Sequence, residues 1–230
     1  PERYVCNVPV HMDATCSGLQ ILSALLRDPV GAYFTNLVDN AAGSKSDIYA
    51  KVGQDAMGII ERDTGPIADF WKTVGVPRDL AKRPVMTYVY GVTLRGVERY
   101  ALEYILENNL ETPDGIPVYQ VTGYLAKVLM QAVASAVPLA AQFMEWLKDA
   151  IRGLERVQWT VPSGLLVQQY YEGSVRRRVH LRSCGVTAVV YRAETGKVDS
   201  RKMADGIVPN FVHSLDASLF HEVAKRMRLD

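Results

Sequence analysis

Arg78, Lys82, Met86 and Tyr90 recur at every fourth position of the segment Arg78-Asp-Leu-Ala-Lys82-Arg83-Pro-Val-Met-Thr87-Tyr-Val-Tyr90-Gly91. Four residues advance about 400° around a helix, so the series drifts slowly along one broad face. That face carries two cations, then a thioether, then a phenol, and stops at a glycine. Arginine offers phosphate oxygens a planar fork and lysine a compact charge, so the pair suits a polyphosphate. Both would stabilise charge developing on a transferring phosphoryl group. An aromatic two turns further on suits the sugar and base of the same ligand. The same pattern also describes an amphipathic helix with solvated cations and a tyrosine packed in the core.

A second candidate is Asp13. Residues 4–12 read as a strand, because Val8, Val10 and Met12 alternate with Asn7, Pro9 and His11. Asp13 then falls where the strand gives way to a helix, near the positive end of the helix dipole. Magnesium is typically held by one or two carboxylates plus substrate phosphates, and Asp13 can supply one. A helix cap is the plainer reading of the same position. His11 reads as a neutral hydrogen-bonding residue.

These residues need elements to hold them. Ser17-Gly-Leu-Gln20 resembles a capping box opening a helix that runs to Arg27, and Asp28-Pro29 stops it. Residues 46–62 read as helix, and Thr64-Gly65-Pro66 as a turn. A short helical piece over Ile67–Thr73 leads to Val76-Pro77, where Pro77 opens the helix of the first motif. Pro84 inside that helix predicts a local kink. A further helix covers 95–108, and a long one 121–153, bent at Pro138. From Val157 the pattern turns to strands: Trp159–Val161, Leu165–Tyr171, Val175–Leu181 and Val186–Tyr191. The last helix is expected to follow Asn210, with Leu215, Leu219, Val223 and Met227 as its buried stripe.

Composition excludes little but locates charge. The 230 residues carry a net charge of +1, with 48% hydrophobic and 22% charged residues, ordinary for a globular chain. Positions 176–202 concentrate Arg176, Arg177, Arg178, Arg182, Arg192, Lys197, Arg201 and Lys202, which points to a local anionic partner or a solvated hairpin. Positions 101–116 hold only acids, read as a solvated face. Three cysteines without a Cys-x-x-Cys pair argue against a disulfide scaffold or a zinc site. No signal peptide or transmembrane span is read, so no membrane partner is expected. Trp71, Trp146 and Trp159 read as core or interface anchors.

Three ordered blocks together form a family signature. Asp13-Ala-Thr-Cys16-Ser17-Gly18-Leu-Gln20, Arg78 through Gly91, and Gly206-Ile-Val-Pro209-Asn210-Phe211-Val212-His213-Ser214-Leu-Asp216 resemble blocks of the single-subunit, bacteriophage-type DNA-dependent RNA polymerases, mitochondrial enzymes included. The resemblance extends over essentially the whole chain. It implies an α+β, predominantly helical fragment of a right-hand polymerase, palm edge plus fingers, with a small β-hairpin section near 157–192. Residues 1–41 would be palm, 42–213 fingers with the nucleotide-binding helix 77–91, and 214–230 the return into the palm.

The resemblance also implies roles. Asp13, with the Ala14 backbone carbonyl, would bind Mg2+, two ions serving the intact enzyme. Arg78, Lys82 and Arg83 would meet the triphosphate. Met86, Tyr90, Gly91 and His213 would complete the nucleotide site, with Tyr90 and His213 favouring ribose. Asp13, Lys82, Tyr90 and His213 form the catalytic set. The implied partners are a DNA template and promoter, ribonucleoside triphosphates and nascent RNA, handled by a monomer in an infected bacterium or, alternatively, a mitochondrion. The family's second catalytic aspartate, in a His-Asp pair, is expected beyond Asp230, so the fragment alone is expected to be inactive. Arg95 stands where the family carries an aromatic.

If Val175–Arg182 is one strand, Arg176, Arg178, His180 and Arg182 share a face. A two-stranded ribbon fits the major groove, and arginine pairs with guanine edges. In the family a hairpin here reads the promoter, which makes Arg178, His180 and Arg182, within a hairpin at 172–200, promoter-reading candidates. Phosphate contact without sequence reading is the alternative for these residues. For the whole chain, a family A-like DNA polymerase and a non-catalytic DNA-binding module remain open.

Overall fold

Short polar and proline signals set most element boundaries in the computed structural model, which describes residues 16–39, 43, 45–181 and 186–227. The strand expected at 4–12, Asp13, Ala14 and Arg182 lie outside these residues. Helix α1 (Ser17–Leu26) ends at Arg27 in the left-handed region, φ 53°. Asp28 then caps α2 (Pro29–Phe34) by accepting the Val30 N–H at 3.0 Å. Asp47 caps α3 (Ile48–Ile60) by accepting from the Tyr49 and Ala50 N–H groups at 2.9 and 3.2 Å. Pro66 opens α4 (Pro66–Val74), and α5 (Arg78–Tyr88) follows Pro77. Thr93 caps α6 (Leu94–Glu107) through the Gly96 N–H.

The core lies around α7 (Val118–Ala136), against which α3, α5 and α6 pack. Val121, Leu125, Leu129, Val52, Ile60, Val85, Val97 and Ala101 are fully buried there. Trp71 of α4 is also fully buried and donates its indole N–H to the Val121 carbonyl at 3.0 Å. Helix α8 (Pro138–Ala150) joins α1 and α9 (Ser200–Met227) in a second packing group. Together with α7 this second group holds the end of α5 and the start of α1 in one place.

Two antiparallel hairpins complete the α+β fold. Strand β1 (Val157–Thr160) pairs with β2 (Leu166–Gln169), and β3 (Glu172–Leu181) pairs with β4 (Val186–Val198). The second hairpin is longer than the sequence pattern indicates. Its register places Arg176 opposite Arg192 and Arg178 opposite Val190, with a shift between Val179 and Leu181.

Four expectations need correction. Ser17-Gly-Leu-Gln20 is not a capping box: Cys16 is the cap residue, with no side-chain cap bond, and Gln20 donates instead to the Thr35 carbonyl at 2.7 Å. The long helix expected over 121–153 is two helices meeting at 103°, because Pro138 starts a new one rather than bending the old. The last helix begins at Ser200, not after Asn210. Asp199 accepts from the Lys202 N–H, and burial of Met203, Ile207, Val208 and Val212 outweighs the donor lost at Pro209. The stripe expected to be buried is open: Leu219, Val223 and Met227 are exposed, the last at 76%. Trp146 is likewise exposed, while Trp159 is half-buried and donates to Ser214 Oγ at 2.9 Å. Among the described residues no single helix is long and apolar enough to cross a membrane.

Candidate active site

Helix α5 closes in a way that fixes its last side chain. The Gly91 N–H bonds the Tyr88 carbonyl at 3.0 Å, and the Val92 N–H reaches back to Thr87 at 3.1 Å. Gly91 has φ 76°, the left-handed conformation this helix-ending motif demands. Tyr90 therefore sits at the helix end rather than within α5 itself. A Cβ on Gly91 would meet Pro209 Cδ at 3.6 Å, so the turn also rests against α9.

The cations of α5 are not equivalent. Arg78 donates from Nε to Asp47 Oδ2 at 2.6 Å and lies 5.0 Å over the Tyr49 ring. Burial would raise the Asp47 pKa, but the Arg78 bond and two backbone N–H groups outweigh it and hold the carboxyl below its ordinary value. Arg83 points to α6, where it pairs with Glu103 and lies 5.5 Å from the Tyr100 ring centroid. The cleft it lines also carries Asp79, Glu103 and Glu107, an acidic setting unsuited to phosphate. Glu103 is thus an ion-pair partner rather than part of a solvated acidic face. Lys82 is exposed and has no ion pair or hydrogen bond among the described residues. Met86, 37% exposed, continues toward Tyr90.

Three distant pieces of sequence meet at Tyr90. Its ring stacks on His213 of α9, centroids 4.4 Å apart and planes 17° from parallel. Its hydroxyl donates to Asp216 Oδ2 at 2.8 Å across 126 residues of chain. Ser17 also acts on the phenol, lowering its pKa. Burial is the main reason the phenol is pushed up to about 12, and Asp216 adds to it while Ser17 opposes. The group therefore keeps its proton at neutral pH. Gly18 lies directly against this cluster, where an added Cβ would come within 2.6 Å of Val89 Cγ2 and 2.8 Å of Tyr90 Oη. No side chain fits between α1 and the end of α5. Beside them, Cys16 is buried, its thiol pushed up to about 11 by burial.

The structure thus brings together Tyr90 and His213, with Lys82, Met86 and Gly91 on the same helix and its closing turn. It sets Arg83 apart and engages Arg78 with Asp47. Sequence reasoning overlooked Asp216 as a partner, although His213 and Asp216 share a helix face at i,i+3. It also overlooked Ser17 and Asp47. His180 lies in β3, near the far end of the hairpin from Glu172 and Val198. The described residues gather no three metal-ligating side chains, so the magnesium expectation rests on Asp13 and Ala14 outside them.

The site thus presents a solvent-facing lysine and, two turns further on, a phenol clamped by His213 and Asp216. The chain belongs to the DNA-dependent RNA polymerases, whose family model matches residues 1–228. It is 39% identical over 230 residues to the DNA-directed RNA polymerase of Pseudomonas phage phiKMV, covering 95% of this chain and 28% of that protein. T7 RNA polymerase of Escherichia phage T7 is 30% identical over 264 residues, covering 94% of this chain and 30% of that enzyme. DNA-directed RNA polymerase 2A of Nicotiana tabacum is 35% identical over 231 residues, covering 95% of this chain and 68% of that protein. The chain spans less than a third of each phage relative.

Proposed function

We propose that this chain is the fingers and part of the palm of a single-subunit RNA polymerase, and that the intact enzyme joins ribonucleoside triphosphates on a DNA template. One observation carries the reading. All three motif blocks, at Ser17-Gly18, at Tyr90 and at His213 to Asp216, converge on the Tyr90 side chain. Lys82 would neutralise the triphosphate, and Arg78 would join it by sharing or leaving Asp47. Tyr90 and His213 would meet the sugar. Mg2+ held at Asp13 and the Ala14 carbonyl would supply Lewis-acid stabilisation of phosphoryl oxygens when bound. Residues 1–41 and 214–230 are assigned to the palm and 42–213 to the fingers. The enzyme would work as a monomer, on a phage promoter in an infected bacterium or in an organelle.

The test is template-directed synthesis by the full-length polymerase, comparing ribonucleotides with deoxyribonucleotides. Ribonucleotide incorporation dictated by the template supports the reading. Preference for deoxyribonucleotides would move it to a family A-like DNA polymerase. DNA binding without any synthesis would leave a binding module.

The hairpin β3–β4 would read the promoter. Both faces are exposed: Val175, Val190 and Tyr191 on one strand or the other are 45%, 54% and 44% accessible. Arg176, Arg177, Arg178 and Arg192 form no ion pair among the described residues, although Arg176 and Arg192 are directly opposed. Like charges in that position destabilise a free hairpin, and an anionic partner relieves them. Arg192 thereby joins Arg178, His180 and Arg182 as a DNA contact. Replacing Arg178 by alanine in the full-length enzyme is expected to change discrimination among promoter variants by about tenfold or more, since a bidentate base contact contributes about 1–3 kcal/mol. A uniform loss across promoters, with a salt slope reduced by about one, would show phosphate contact alone.

A further inference from the structure

A phenol has one hydrogen to donate and two lone pairs to accept with. At Tyr90 the donor half of this capacity is spoken for. The hydrogen goes to Asp216 Oδ2 at 2.8 Å. A carboxylate only accepts, so this bond runs in one direction. The Ser17 side chain acts on the phenol in the opposite sense to Asp216, lowering its pKa. The ring cannot turn away, because His213 stacks on it at 4.4 Å and Gly18 leaves no gap beneath the oxygen. Only acceptor capacity remains for a ligand.

We infer that Asp216 is a positioning residue for sugar selection: by accepting the Tyr90 O–H hydrogen bond it presents the phenol oxygen as an acceptor, so the site recognises a sugar hydroxyl that donates. This rests on the proposed reading of Tyr90 as the contact to the nucleotide sugar. It gives the selectivity a polarity. A 2′-hydroxyl or 2′-amino group donates and satisfies the lone pair. A 2′-hydrogen or 2′-fluorine does not, and leaves it unpaired. Without Asp216 the phenol regains a free O–H, and a 2′-fluorine or water can take it.

The experiment uses the full-length polymerase and single-nucleotide kcat/KM values for ribo-, 2′-amino-, 2′-fluoro- and 2′-deoxynucleotides. Asp216→Ala is expected to lower the ribo-over-fluoro ratio by roughly tenfold, the factor one ordinary hydrogen bond supports, and to change the ribo-over-amino ratio by less than about threefold. Each ratio compares two substrates on one enzyme, so a smaller folded fraction cancels. Asp216→Leu keeps bulk without an acceptor and gives the same readout should the alanine variant fail to fold. Tyr90→Phe is the control. Added to Tyr90→Phe, Asp216→Ala is expected to relax selectivity no further. Equal losses for all four substrates after Asp216→Ala, beside a Tyr90→Phe enzyme that does lose sugar selectivity, would overturn the inference and leave the sugar-site reading standing. A Tyr90→Phe enzyme with unchanged selectivity would overturn both.

Discussion

Lys82→Ala in the full-length polymerase is expected to lower kcat for ribonucleotide addition by about 10²- to 10³-fold, the usual loss when one positioned charge is removed from a developing transition state. The expectation follows from what Lys82 lacks. It sits on the exposed side of α5 with no partner among the described residues. Removing it therefore costs little stability, about 0.5 kcal/mol or less for an ordinary surface position. A large kinetic loss would then report chemistry rather than folding. Arg78 makes the useful contrast. It is already bonded to Asp47 at 2.6 Å and packed over Tyr49, so Arg78→Ala removes a structural tie as well as a charge. Its loss should raise KM and lower thermal stability together. Lys82→Arg keeps the charge but replaces a compact ammonium by a broad fork, and should recover part of the rate. Steady-state addition of a single nucleotide, with unfolding monitored in parallel, checks all three. A Lys82→Ala enzyme within threefold of wild type would remove Lys82 from the catalytic set.

The contrast between Lys82 and Arg78 also marks where sequence reading stops. The every-fourth spacing placed both cations on one helix, because periodicity is a local property of the chain. It could not show that Asp47, the cap of a different helix, engages Arg78. Local chemistry was legible elsewhere for the same reason: Asp28-Pro29 ended one helix, Pro77 opened another, and Pro162-Ser-Gly164 separated β1 from β2. Helix limits and buried faces that depended on tertiary packing were read wrongly at α9. The last helix was expected only after Asn210, yet α9 runs from Ser200 through Gly206 and Pro209 because Met203, Ile207, Val208 and Val212 bury one face. Leu219, Val223 and Met227 have the spacing of a core stripe, yet nothing in the described residues covers them. Arg83 stands next to Lys82 in sequence but about 100° around the helix, which is enough to turn it toward Glu103. At the site itself, the blocks were legible and their meeting was not. Tyr90 and Asp216 are 126 residues apart, and the packing of α9 on α1 and on the turn after α5 joins them.

That packing depends on the core behind it, which makes Trp71→Ala the substitution expected to cost most in stability, about 3–5 kcal/mol. Trp71 is fully buried and among the largest such side chains in the chain. Its loss opens a cavity between α4 and α7 that the surrounding helices fill only in part. The indole N–H bond to Val121 is lost as well, but that carbonyl lies inside α7, so the bond is the smaller contribution. Trp71→Phe separates the two effects: it keeps most of the volume and should cost about 1–2 kcal/mol, combining a lost hydrogen bond with a small void. At about 2–4 °C per kcal/mol for a unit of 150–250 residues, the alanine variant should lower the transition of this segment by about 6–20 °C. The consequence for function is specific. Helix α7 is the surface on which α3 and α5 rest, so loosening it frees the Lys82 to Tyr90 face before it touches the Tyr90 to Asp216 contact. Nucleotide affinity should therefore fall with rising temperature sooner in Trp71→Ala than sugar selectivity does. Calorimetry of the full-length enzyme, paired with KM and ribo-over-deoxy ratios across temperature, checks both. A transition moved by less than about 2 °C would mean that α4 contributes little to this core, since even one kcal/mol should move it further.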